Sequence, residues 1–136
     1  MSMNDRAEWW DLFLSASGRT ARGPFLMASA ALLIFAVCYE SFGFTLHLLT
    51  GWLVYPPLLF FATCVLSRRL HDRGRSGWWA ALILLSLVAI WPTPKHFLDF
   101  LFSAVVLWAV IELCAMPGEQ GANRYGANPL KPVPAV

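Results

Sequence analysis

Four long stretches almost free of charge constrain this chain more than any other feature. Pro24 to Tyr39 holds 16 residues without Asp, Glu, Lys or Arg, Ser41 to Ser67 holds 27, and Ser76 to Pro94 holds 19. Phe97 to Met116 is apolar apart from Asp99 and Glu112. A helix that crosses a bilayer needs roughly 20 consecutive apolar residues. The chain has 136 residues, 58% of them hydrophobic and only 13% charged. An ordinary soluble domain is about a quarter charged, and one this small leaves much of its surface in water. A disordered chain is excluded too, because it needs high charge and low hydrophobicity. Lipid is therefore the expected solvent for one domain of this size.

In lipid the backbone must hydrogen-bond internally, so the apolar stretches are expected as helices. The expected fold is all-α, a polytopic membrane bundle of four transmembrane helices at about 24–42, 48–67, 77–92 and 97–116. The third is short and rimmed by Trp78, Trp79 and Trp91, as in interfacial aromatic belts. Ahead of the bundle, residues 1–23 carry Glu8-Trp9-Trp10-Asp11-Leu12-Phe13-Leu14. Trp9 and Phe13, like Trp10 and Leu14, stand at helical i,i+4 spacing. An N-terminal helix is expected there, lying in the membrane interface or packed on the bundle. Pro24 is suited to the first position of the helix that follows. The Gly- and Pro-rich tail, residues 117–136, is expected to be irregular with a loose end.

Charge gives the orientation. With four spans, Arg6, Arg19, Arg22, Arg68, Arg69, Arg73, Arg75, Arg124 and Lys131 fall on one side, and Lys95 alone falls on the other. Basic residues in short loops mark the cytoplasmic side, so both termini are expected in the cytoplasm. Merging 77–116 into one broken span would leave Lys95 within it and weaken the asymmetry to seven against two. The first apolar run starts at Pro24, with no small-residue cleavage site behind it, so the chain is expected to stay uncleaved. Cys38, Cys64 and Cys114 lie far apart in apolar runs without metal-ligand spacing. No metal or cofactor is expected. The net charge of +2 does not point to nucleic acid.

Chemistry concentrates in Ser67-Arg68-Arg69-Leu70-His71-Asp72-Arg73-Gly74-Arg75-Ser76-Gly77-Trp78-Trp79, between spans two and three. Arg19, Arg22 and Arg124 fall on the same side. Arginine forks match phosphate, and basic pockets at this depth hold anionic headgroups. The plainer reading makes the arginines topology signals, with Gly74 in the turn, Asp72 orienting an arginine and Ser76 capping the third helix. His71 and Asp72 are adjacent, so on a helix they point about 100° apart and do not by themselves make an acid–base couple. No nucleophile elbow, HExxH or P-loop is present, and no catalytic residue is assigned. Glu112 lies about a turn inside the end of span four. A carboxylate there needs a partner, and an ion pair with Arg22, Arg68 or Arg69 is expected. Glu40, His47 and Asp99 fall near the opposite face, where Lys95 or His96 could join them in a polar network. Pro56-Pro57 interrupts the donors of span two as a packed kink or a broken helix lining a pathway.

These motifs resemble the bacterial inner-membrane proteins grouped as domain of unknown function 805. The likeness rests on Gly18-Arg19 with Arg22 and Phe25, on Arg68-Arg69-Leu70-His71-Asp72 with Gly74 and Ser76-Gly77-Trp78-Trp79, and on Pro117-Gly118, Gly121, Asn123-Arg124-Tyr125-Gly126 and Pro129. It covers roughly residues 9–130 and implies a small cytoplasmic-membrane protein with several helical spans and no settled activity. The expected function is non-enzymatic. Arg19, Arg22, Arg68, Arg69, His71, Asp72, Arg73, Arg75, Trp78, Trp79, Asn123, Arg124 and Tyr125 would form a cytoplasmic face for an anionic lipid headgroup or a partner membrane protein. The alternatives are an oligomeric transporter or channel using Pro56-Pro57 and Glu112, and a membrane enzyme acting on a phosphorylated lipid through His71.

Overall fold

The computed structural model describes residues 3–91 and 94–130, with side chains from Glu8 onward. The expectations for Pro92-Thr93, Lys131, Pro132, Pro134 and the Arg6 side chain lie outside the described residues. Five α-helices follow in order: α1 (Met3–Leu14), α2 (Arg22–Glu40), α3 (Phe44–Asp72), α4 (Trp79–Ile90) and α5 (Phe97–Val110), which runs on into a π-helical turn at Ile111–Ala115. No strand occurs among the described residues, only an isolated bridge between Asn123 and Gly126.

The helix limits follow local chemistry. Arg22 opens α2 and Pro24 is its third residue, not its first. A proline is tolerated there because the first four N–H groups of a helix have no intrahelical partner. α3 is far longer than expected, with 29 residues. At 1.5 Å per residue it is about 44 Å long, beyond a hydrocarbon core of about 30 Å. Its last two turns take in Ser67–Asp72, so half of the arginine-rich block is helix and not loop. The helix also runs unbroken through Pro56 and Pro57. It stops at Gly74, whose φ of +68° suits glycine, and the N–H groups of Arg73, Gly74 and Arg75 close back onto Arg69, His71 and Leu70.

Three helices are long and apolar enough to cross a membrane: Arg22–Glu40, Phe44–Asp72 and Phe97–Ala115. The third expected span is shorter, since α4 has only 12 residues, about 18 Å of helix. Large apolar side chains such as Phe35, Leu48, Trp52, Phe97 and Phe100 are exposed along these helices. Such a surface belongs in lipid.

α1 lies against α3 and divides its aromatics. Leu12 is buried in the core, Trp9 and Phe13 pack beside it, and Phe13 meets Phe61 edge-on at 6.2 Å. Trp10 and Leu14 face outward. One i,i+4 pair therefore packs on the bundle, and the other is left exposed. The buried cluster comprises Leu12, Phe25, Ala28, Val65, Leu70, Ala80, Ile83, Ala109 and Leu113. It gathers where α2 and α4 begin and where α3 and α5 end. The arginines sit at this same end.

Candidate functional site

Arg69 organises the arginine end. It is fully buried in the last turn of α3. Its Nε donates to the Leu113 carbonyl at 2.9 Å and Nη2 to the Met116 carbonyl at 2.7 Å. Nη1 donates to Asp72 Oδ2 at 2.5 Å and reaches the Thr20 carbonyl at 3.5 Å. One side chain therefore ties α3 to the end of α5 and to the strand-like approach to α2. The Phe25 ring lies 6.0 Å from its guanidinium carbon.

The π-helical turn explains why α5 needs such help. The last carbonyls of a helix lack intrahelical partners, and the helix dipole favours cations there. Arg22 takes the Ala115 carbonyl at 3.1 Å and Arg73 the Pro117 carbonyl at 2.5 Å, in addition to the two taken by Arg69. Arginines from α2, from α3 and from the turn after α3 together cap one helix end. Glu112, inside the π turn, accepts from Arg73 Nη2 at 3.1 Å and Arg75 Nε at 3.0 Å through one oxygen. The ion pair thus forms with Arg73 and Arg75 and not with Arg22, Arg68 or Arg69. The reason is the added length of α3, which turns Arg68 to the Ser17 carbonyl and commits Arg69 to Asp72 and the end carbonyls of α5, so that the post-helical arginines are the ones that reach Glu112.

Asp72 holds two arginines, as its Oδ1 accepts from Arg19 Nη2 at 3.0 Å while Oδ2 takes Arg69. Arg19 then pins the tail, donating to the carbonyls of Glu119 and Gly121, both at 2.6 Å. The tail between Pro117 and Gly126 is irregular but held. The Glu119 N–H donates to the Asp72 carbonyl at 2.8 Å, and Asn123 Nδ2 donates to the His71 carbonyl at 3.0 Å. Gly118 must be glycine here, because a Cβ would fall on the Asp72 carboxylate. The opposite loop is tied by Arg68 Nε to the Ser17 carbonyl at 2.6 Å and by the Thr20 N–H to the Arg68 carbonyl at 3.3 Å.

His71 and Asp72 have separate partners. His71 Nδ1 donates to the Gly18 carbonyl at 3.1 Å, and its ring stacks on Tyr125 at 3.8 Å. Arg124 covers the outer face of Tyr125 at 4.7 Å. Ser76 Oγ accepts from the Trp78 N–H at 3.4 Å within the turn before α4. Trp78 is almost wholly exposed and Trp79 partly so. The structure thus joins Arg19, Arg22, Arg68, Arg69, His71, Asp72, Asn123 and Tyr125 around the loop and tail. It sets Arg73, Arg75 and Glu112 beside α5 and leaves Arg124 and Trp78 outermost. The terminal carbonyls of α5, Thr20 and Glu119 are parts of this assembly that the sequence did not single out. The cue was available, since an arginine-rich end is where a helix C-terminus finds donors.

At the far end, Glu40 and His47 do meet. Tyr55 donates to Glu40, His47 Nε2 bonds the Tyr39 carbonyl at 2.8 Å, and Tyr39 and Thr50 hydroxyls lie 2.9 Å apart. Asp99 stays apart from them. Its carboxylate accepts from the N–H groups of Lys95 at 2.6 Å and His96 at 2.7 Å, capping α5.

Three apolar helices of spanning length, fastened at one end by buried arginines, are what a helical membrane protein requires. The chain belongs to the family described as protein of unknown function (DUF805), whose model matches residues 5–127. It is 33% identical over 81 residues to the uncharacterised protein YiiR of Escherichia coli strain K12, and equally to YiiR of Escherichia coli O157:H7. The match takes in 52% of this chain and 54% of each relative, so the chain spans about half the length of those proteins. No solved structure matches it.

Proposed function

We propose that this is a four-crossing protein of the bacterial inner membrane, with both termini in the cytoplasm. Its arginine end acts as a non-enzymatic binding face for anionic lipid headgroups. The observation that carries the reading is the direction of the helices. α3 ends at the arginine cluster and so does the helix Phe97–Ala115, through Arg69 and its carbonyl partners. Nineteen helical residues extend about 28 Å, so Phe97 starts far from that end. A return crossing by α4 would carry the chain from Asp72 to that start, which supports a fourth span.

Electrostatics supports the rest. Seven arginines stand at this end, and only Asp72 and Glu112 form ion pairs with them among the described residues. The cationic excess suits the cytoplasmic leaflet and its anionic lipids. Arg19 and Arg69 serve the fold, so Arg22, Arg75 and Arg124, which are exposed, are the contacts offered to headgroups.

Two measurements test this. In cells carrying a version without native cysteines, Lys95→Cys is expected to react with a membrane-impermeant maleimide from outside, and Arg124→Cys only after lysis. The reverse labelling would overturn the orientation. In mild detergent, native mass spectrometry is expected to find phosphatidylglycerol retained over phosphatidylcholine, and less of it in the Arg22→Gln, Arg124→Gln double variant. Equal retention of both lipids would overturn the binding face.

A further inference from the structure

Between α4 and α5, next to the arginine end, lies an open groove of about 390 Å³ lined by Arg75, Trp79, Ala104, Val105 and Trp108. Its chemistry changes along its length. Arg75 stands at the head, with Nε donating to Glu112 at 3.0 Å and the guanidinium 5.4 Å over the Trp108 ring. That arrangement fixes the plane of the guanidinium. Its terminal nitrogens make no hydrogen bond to the protein among the described residues, and the side chain is 42% exposed. Behind it the walls are apolar. The Trp79 and Trp108 rings touch, with centroids 5.4 Å apart, and Ala104, one helical turn before Trp108, is small enough to leave the trough open beside them.

A cationic fork at one end and an apolar trough behind it is the complement of an amphiphile with an anionic head. We propose that this groove holds one anionic phospholipid. Its phosphate accepts from the terminal N–H groups of Arg75, and one acyl chain lies along Ala104 and Val105 against the tryptophan pair. The proposal rests on the reading above that the arginine end lies at headgroup depth. Two parallel N–H donors fit phosphate oxygens as a fork, and tryptophan favours that same depth. A second cavity at this end, about 380 Å³, is bordered by Arg69 and Asp72, whose polar atoms are already matched within the protein, and suits a lipid less well.

The test is native mass spectrometry of the detergent-solubilised protein with phosphatidylglycerol, with phosphatidylcholine of the same chains, and with glycerol phosphate as competitor. One phosphatidylglycerol is expected to stay bound and to resist glycerol phosphate, which lacks the acyl chain. Arg75→Gln is expected to lower its retention about tenfold, the size of one charge-assisted contact. Ala104→Phe fills the trough without changing charge or a buried position, and is expected to lower retention to a similar degree. It decides the matter if Arg75→Gln does not fold. Leu48→Ala, at the far end, is the control and keeps the parent value. Parent-level retention in Ala104→Phe, or full displacement by glycerol phosphate, overturns the groove. If the Arg22→Gln, Arg124→Gln variant loses the lipid while Ala104→Phe keeps it, the groove fails and the wider binding face stands. Equal retention of both lipids throughout sinks both.

Discussion

At the arginine end, one buried guanidinium meets four oxygens drawn from α3, the end of α5, the tail and the loop before α2. At the far end, the polar cluster of Tyr39, Glu40, His47, Thr50 and Tyr55 joins α2 only to α3. The buried apolar cluster also sits toward the arginine end, while large side chains on the far halves of the helices are exposed. The difference has a physical cause. Lipid tails are as apolar as leucine, so nothing hydrophobic drives helices together within the bilayer. The irregular segments at the arginine end carry carbonyls that need donors. Arginine supplies several donors from one rigid group, so a few arginines can fasten many segments.

The contrast predicts a gradient of effects in SDS-induced unfolding from mixed micelles. Arg69→Gln should cost most, about 3–5 kcal/mol, because it takes one of the two arginines from buried Asp72 and leaves two helix-end carbonyls without their buried donor. The sign of failure would be a variant as stable as the parent. Glu112→Gln should cost about 2 kcal/mol, since Arg73 and Arg75 lose their shared carboxylate, and the loss should shrink when Arg73 is replaced first. Gly118→Ala should cost about 1–2 kcal/mol by pushing a methyl into Asp72, whereas Gly23→Ala, with open space around it, should stay within about 0.5 kcal/mol. At the far end, Tyr39→Phe removes one hydrogen bond, to Thr50, and should cost about 1 kcal/mol. Leu48→Ala, on the exposed surface of α3, should change stability by less than about 0.5 kcal/mol. If Tyr39→Phe proves as damaging as Arg69→Gln, the far end is a second fastening point and the contrast collapses.

Much of the bundle was legible because its signal is local. Long uncharged runs can only be helices in lipid, and the helices α2, α3 and α5 fall on three of them. Their limits were harder to read. The charge of Arg68, Arg69 and Asp72 resembles the end of a span, yet α3 continues through them, because side-chain charge does not stop a helix and Gly74 does. The 12 residues of α4 fall short of the 16 expected, since Ser76-Gly77-Trp78 forms a turn and not the first turn of the helix. Within the candidate site, residue types were legible and partners were not. Glu112 needed an arginine on any reading, but the choice of Arg73 and Arg75 depends on how far α3 extends and on the π turn that aims the carboxylate.

What the sequence determined alone is the solvent and the segregation of charge. Apolar runs and clustered arginines are properties of single segments, and their energies in lipid or water hardly depend on neighbours. What only the tertiary structure decided is that the arginines are mostly internal fasteners. Whether a guanidinium faces a carbonyl, a carboxylate or the outside depends on which chain ends meet there. A hundred residues can separate the segments that meet, as they do for Arg19 and Glu119, and no local pattern encodes that distance.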